Sequence, residues 1–470
     1  MTLNPSTTLR AAALVALAGG GAAAQGVLSP IGTILTEQSR TAFSVQGAGA
    51  RAMGLGGAFI GVADDATAVT FNPAGLAQMV NPEMSFVGQG VNRRGAFQDA
   101  QTVSGRRTLL VDDSLVSNTR FDPLLLSGTL PLRVGGRTLA IQLSLQRLIP
   151  LREGNSRDMQ ERPEDGTAPV QLHQSINQAG QIDLYAFAAA YEVSQRILLG
   201  GSVNYWRGDW NLGSHSTSTT AGTTRFVHYT QDNHLEGANY TLGLLWRWET
   251  WSLGINRSTA FHGDYTYSAS YASSATPLMS APPYTTGLHW PATTGVGLAY
   301  RPTDRWLIAL DVVRTPWSEA RYMSGRENLN GLNFFDMSKG NRTPDATQFH
   351  LGVERILLAS SGNVIPLRFG YSREPQPVTD RMTGQQRVMQ GLSLGSGLKR
   401  GAYGFDLAYR YAWGRRRASQ FLDADQLLTS VHNQSLGTEA ITEHRLAFSF
   451  IVQFDRRPVQ EFLHHLFVGG

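Results

Sequence analysis

The chain has 470 residues, no cysteine and a formal net charge of +4. Without thiols it forms no disulfide, supports no thiol catalysis and carries no lipidated cysteine anchor. The charge is too small for this length to mark a nucleic-acid binder, and no nucleic-acid partner is expected.

Residues 1–24 read as a secretory signal, with Arg10 as the basic region, Ala11 to Ala18 as the apolar run and Ala22-Ala23-Ala24 as an A-x-A-like cleavage site. No later stretch stays apolar for the ~20 residues of a transmembrane helix. Residues 25–82 show no strand pattern. They run through a glycine- and alanine-rich start, Gly47 to Gly57, then Ala63-Asp64-Asp65-Ala66 and Asn72-Pro73-Ala74. Pro73 disfavours helix at Asn72 and favours a fixed turn. Asp64 and Asp65 read first as a helix N-cap or a wall salt bridge, ahead of direct ligand contact.

From residue 83 the pattern changes. Tyr403, Phe405, Leu407, Tyr409, Tyr411 and Trp413 alternate with Gly404, Asp406, Ala408, Arg410 and Ala412. Successive strand side chains point to opposite faces, so one face is large and apolar and the other small or charged. The pattern recurs over 83–92, 120–132, 137–149, 181–193, 196–206, 235–249, 251–261, 289–301, 306–317, 346–356, 363–373, 386–398, 401–413 and 441–455. Most segments reach the ~9–11 residues that let a tilted strand cross a bilayer. The links alternate: short at 133–136, 194–195, 250, 302–305, 357–362 and 399–400; long at 93–119, 150–180, 207–234, 262–288, 318–345, 374–385 and 414–440. That is the signature of an outer-membrane barrel, an all-β, 14-stranded antiparallel transmembrane fold whose even count returns both termini to the short-turn, periplasmic side and leaves the long loops extracellular. All nine tryptophans fall at or just beyond predicted strand ends, as a belt at the headgroup boundary requires. Residues 456–470 follow the aromatic-ended last strand as a C-terminal extension with no assigned role.

The segment GARAMGLGGAFIGVADDATAVTFNPAGLA resembles the N-terminal hatch of the FadL family of outer-membrane transporters for long-chain fatty acids and aromatic hydrocarbons. The resemblance implies a hatch at 25–82 inside a barrel at 83–455. It also implies ligand capture at the extracellular loops and passive inward transport gated by the hatch, with Asp64, Asp65, Asn72, Pro73 and Ala74 as hatch or gate residues. The expected partners are outer-membrane lipid, a hydrophobic small molecule and, through the last strand, the barrel-assembly machinery. Neither enzyme activity nor a cofactor or metal is expected. The same architecture also resembles the surface shuttle barrel of type IX-like protein secretion, which stays open as an alternative. An open polar porin is a third reading, which a hatch argues against.

Chemical motifs weigh little. Gly47-x-Gly49-x-x-Ala52 has the spelling of a dinucleotide fingerprint but no preceding strand. Gly391-x-Ser393-x-Gly395 has that of a nucleophile elbow but falls mid-strand. No histidine pair has metal-ligand spacing. Apolar clusters in the long links carry a softer signal: Leu278 and Met279; Leu332, Phe334, Phe335 and Met337; and Phe421 to Val431. Exposed apolar clusters often mark binding surfaces, so these are the candidate ligand-capture residues.

Overall fold

The computed structural model describes residues 47–98, 101–104, 107–111, 116–163, 166–323, 331, 333, 343–358, 363–379, 385–419 and 435–455. The signal segment, residues 25–46, Leu332, Phe334, Phe335, Met337 and the tail 456–470 lie outside them.

Alternation builds the strands. In chain order they are β1 (Glu83–Gln98), β2 (Gln101–Ser104), β3 (Arg107–Val111), β4 (Val116–Val134), β5 (Arg137–Pro150), β6 (Glu153–Pro163), β7 (Val170–Glu192), β8 (Ile197–Thr220), β9 (Thr223–Arg247) and β10 (Trp251–Ser258). They continue with β11 (Phe261–Ser273), β12 (Thr276–Trp290), β13 (Thr293–Thr303), β14 (Trp306–Thr315), β15 (Arg321–Met323), β16 (Ala346–Leu358), β17 (Val364–Thr379), β18 (Gln386–Arg400), β19 (Tyr403–Ser419) and β20 (Ser435–Gln453). Fourteen of them form a closed antiparallel barrel. Its seam is β1 against β20, with Glu83 opposite Gln453 and Phe86 opposite Phe450. Closure removes the unpaired edges that a bilayer would penalise. Each of the fourteen expected segments overlaps one barrel strand.

The outer face is apolar: Leu143, Tyr240, Leu242, Leu394 and Phe405 are exposed, Leu143 by 66%. Their inward neighbours Gln142, Thr241, Ser393 and Asp406 face the lumen side, and Gln142 and Ser393 are almost fully buried. Turns at the short end are tight: Gly135 and Gly136 join β4 to β5 with φ of 59° and 78°, a left-handed pair that suits the twist of a two-residue hairpin.

Two expectations need correction. The links at 150–180, 207–234 and 262–288 are not chiefly loop. β8 and β9 run 24 and 25 residues to an Ala221-Gly222 turn, and β11 and β12 form a further hairpin on β9. Beyond the lipid neither face must be apolar, so the ladder continues through Ser- and Thr-rich sequence after the hydrophobic signal has faded. Eight of the nine tryptophans, too, divide into two groups. Trp246, Trp248, Trp251 and Trp306 are exposed on the outer surface, as a belt requires. Trp206, Trp210, Trp290 and Trp317 are buried instead in one apolar core with Phe261, Tyr265 and Tyr322. A strand-end position serves either role, and alternation alone does not separate them.

Residues 47–82 pack inside the ring. Their elements are helix α1 (Ala50–Gly54) and two short 3-10 turns, Ala68–Thr70 and Pro73–Gln78. They touch strands all round the wall: the Ser127 hydroxyl of β4 donates to the Ala66 carbonyl, the Asn72 amide to Leu244 of β9, the Phe59 and Ile60 N–H groups to Asp311 of β14, and the Ala50 N–H to Ser449 of β20 at 2.7 Å.

Candidate functional site

The site begins with side chains that are missing. Inward-facing glycines pair across the wall: Gly200 with Gly243, Gly254 with Gly297, and Gly352 with Gly370. Without Cβ atoms they let the inner segment touch the barrel backbone to backbone. A Cβ at Gly352 would stand 2.6 Å from the Leu55 carbonyl oxygen, and one at Gly297 2.6 Å from the Gly61 nitrogen. Cβ atoms at Gly370, Gly254 and Gly200 would overlap Gly56, Ile60 and Ala74.

Polar anchors fix the segment in this seat. The buried Asp311 carboxylate of β14 accepts from the Phe59 and Ile60 N–H groups at 2.6 and 2.7 Å. Ser252 of β10 donates to the Gly61 carbonyl at 2.6 Å, and Gln142 of β5 to that of Ala66 at 2.7 Å. Asn72 is fully buried and does three things. Its amide donates to the Ile60 carbonyl at 3.1 Å and to Leu244 of β9 at 3.0 Å, while its oxygen caps the turn that starts at Pro73 by accepting from Ala74 N–H at 3.2 Å.

A chain of charges runs from the segment into the wall. Arg51 reaches Asp64 at 2.5 Å and Glu354 at 3.3 Å; Arg301 holds the other oxygen of Asp64 at 3.1 Å. Arg368 then joins Glu354 at 2.6 Å to Asp406 at 2.5 Å. Asp65 accepts from the Thr67 hydroxyl and N–H at 2.6 and 2.8 Å. Burial pushes the Asp65 carboxyl up, against the pull of Arg51.

Above the segment lies a cavity of about 130 Å³. Met53, Ile60 and Phe71 line it from the segment, and Trp206, Trp290 and Val313 from the wall and roof. The roof is an aromatic stack: Trp206 meets Phe261 at 5.0 Å and Trp290 at 5.5 Å, and Trp290 meets Trp317 edge-on at 5.4 Å. The cavity is thus bounded below by the inner segment and above by tryptophans.

No protein-family model and no curated protein matches the sequence. Solved structures do. A FadL homologue of Pseudomonas aeruginosa superposes with a TM-score of 0.60 at 11% identity, covering 88% of this chain and all of that one. The Pseudomonas putida toluene transporter TodX gives 0.56 and the monoaromatic hydrocarbon channel CymD 0.54, each at 15% identity and the same coverage. The chain has the FadL fold.

Within this FadL-type architecture the expected residues separate into groups. Asp64, Asp65, Asn72, Pro73 and Ala74 lie inside the barrel; Asp64 makes a wall salt bridge, whereas Asp65 caps no helix and instead closes a local turn by accepting from Thr67. Leu278 is 69% exposed near the start of β12, whereas Met279 packs on the cluster around Tyr229 and Tyr271. Ser393 is buried on the inward face of β18, in a strand and not at a strand–turn–helix corner, so its G-x-S-x-G spelling has no catalytic context. Sequence reasoning missed Asp311, the paired wall glycines, and the cavity-lining His350 and Arg410. Their only signal is their place on the small or polar face of a strand.

Proposed function

We propose that this protein lies in the outer membrane and passes hydrophobic small molecules inward by passive diffusion, with residues 47–82 acting as the hatch. One observation carries the reading: a partly apolar cavity sits in the lumen between the segment that fills the barrel and an aromatic roof. A polar porin needs no such seat, and a surface shuttle has no use for an internal cavity. The names of the structures sharing the fold, a toluene transporter and a monoaromatic hydrocarbon channel, support the same class. Lipid contacts the outward aliphatic and aromatic side chains, and the exposed Leu278 offers a first capture surface at the outer end. The last strand, with Phe450 and Val452 near its end and Phe454 just after it, is the part the assembly machinery would read. The test is uptake of labelled long-chain fatty acids and toluene into liposomes holding the full-length protein. Uptake above empty liposomes is expected; none for either class refutes the proposal.

A further inference from the structure

The hairpin that carries part of the aromatic roof also carries a histidine pair on its outward face. His262 of β11 stands directly opposite His289 of β12, one rung beyond the paired roof residues Phe261 and Trp290. Phe261 and Trp290 are buried on the inner face. The histidines, next in each strand, point the other way, His262 exposed and His289 half-buried. Nε2 of His262 lies 3.2 Å from Nδ1 of His289, and the ring centroids are 4.8 Å apart. The two residues are 27 positions apart, so no motif spacing announces them; the register of the hairpin brings them together.

Left alone, one neutral ring donates its N–H to the other. The spacing also suits a metal. Two imidazole nitrogens bound to one tetrahedral zinc at ~2.0–2.1 Å stand about 3.3 Å apart. A square-planar ion would draw them in to about 2.8 Å. The surrounding charge favours a cation. Asp264 shares the outward face with His262 and stands directly opposite Glu236 of β9, a like-charged pairing that is destabilising by itself. Arg321, opposite His289, offsets one of those two charges. We propose that His262 and His289 form a surface site for a divalent cation of the zinc class, which cross-links β11 to β12 beside the roof. Among the described residues no third histidine, cysteine or carboxylate completes a cage, so water fills the remaining positions and the ion exchanges with solvent. A bond across this rung resists parting of the two strands that hold Phe261 and Trp290. The inference stands on this geometry and does not depend on what passes through the barrel.

The experiment titrates the full-length protein with zinc in mild detergent and chelator-free neutral buffer, read by calorimetry, and measures hydrogen exchange over residues 261–290 with and without zinc. Removing the outer partner of a metal ligand already costs about 10–100-fold in affinity, so His262→Gln and His289→Gln, each losing one of two ligands, should weaken zinc by at least about tenfold. Zinc should slow exchange across the hairpin in the wild type and leave it unchanged in both variants. His173→Gln is the control: this exposed histidine pairs with Asp158 on β6, and its loss should leave zinc binding as in the wild type. The boiling-dependent gel shift checks that each barrel folds. If either variant does not fold, one equivalent of copper on the unaltered protein decides by electron paramagnetic resonance, with coupling to two imidazole nitrogens expected and coupling to one or none overturning the proposal. No zinc binding by the wild type, undiminished binding in either variant, an equal loss in His173→Gln, or hairpin exchange that zinc leaves unchanged would each overturn it too.

Discussion

Replacing Gly352 with alanine should unseat the hatch without unfolding the barrel. The new Cβ would stand 2.6 Å from the Leu55 carbonyl oxygen, 2.7 Å from its Cβ and 3.0 Å from its Cα. Relaxed contacts need about 3.5–4.0 Å, so Leu55 must retreat by roughly 1 Å. It cannot do so freely, because Gly56 and Gly57 continue the chain against β17 and β16, and Leu55 belongs to the buried core with Phe59 and Ile60. Overpacking of this kind costs about 1–3 kcal/mol. The strand itself accepts alanine, so the cost falls on the seated state. That energy shifts the ratio of unseated to seated hatch by about 5–150-fold. Conductance in planar bilayers is the assay: wild type nearly closed, Gly352→Ala with frequent openings, and both with the boiling-dependent gel shift of a folded barrel. Gly90→Ala is the control, because a Cβ there meets nothing within 4 Å. Equal conductance in all three proteins would refute the idea that backbone contact through the wall glycines holds the hatch.

Other outcomes follow from the same contacts. Asn72→Ala removes two donors and a cap acceptor from a fully buried site, so hydrogen exchange over residues 60–76 should accelerate by an amount equivalent to about 1–3 kcal/mol. Arg51→Met leaves Asp64 and Glu354 with one guanidinium partner each instead of two; the hatch should become sensitive to protease, whereas the barrel stays heat-modifiable. Trp290→Ala opens the aromatic roof at a cost of about 3–5 kcal/mol, and stopped-flow quenching should show faster access of toluene to the lumen. Excising residues 215–228, which His215 and His228 bracket in register, should leave folding and uptake intact, because the remaining strands still exceed the ~9–11 residues that cross a bilayer.

The barrel was legible because lipid imposes a rule on every other residue. The alternation at Tyr240, Leu242, Leu244 and Trp246 is a direct consequence of where those side chains point, and it located all fourteen wall strands. What lies outside the lipid obeys no such rule, and there the reading failed: β11, β12 and the outer halves of β8 and β9 looked like loop. The tryptophans show the same limit, since Trp290 and Trp251 both stand at a strand end but bury and expose their rings respectively. Within the lumen, Asn72 and Asp64 stood out by motif. Gly352, Asp311 and Arg410 did not, because an inward glycine, aspartate or arginine reads the same whether it meets water, a hatch or a ligand. Only the fold brings residues hundreds of positions apart into contact.

The bond from Ala50 to Ser449 joins positions 399 apart in the chain, and it has a consequence for the order of assembly. β20 is the last strand to emerge, and the ring is complete only when it meets β1. Contacts between such distant residues make chain closure slow. Helix α1 lies against the partners β18, β19 and β20 on the inside of that final stretch. A ring that shut first would have to admit this segment past a tryptophan-lined end or against fourteen finished strands. Lodging it while the wall is still a curled, open sheet avoids that passage. The segment then gives the closing strand a surface to fold against, so a chain lacking it would lose a template for its own closure.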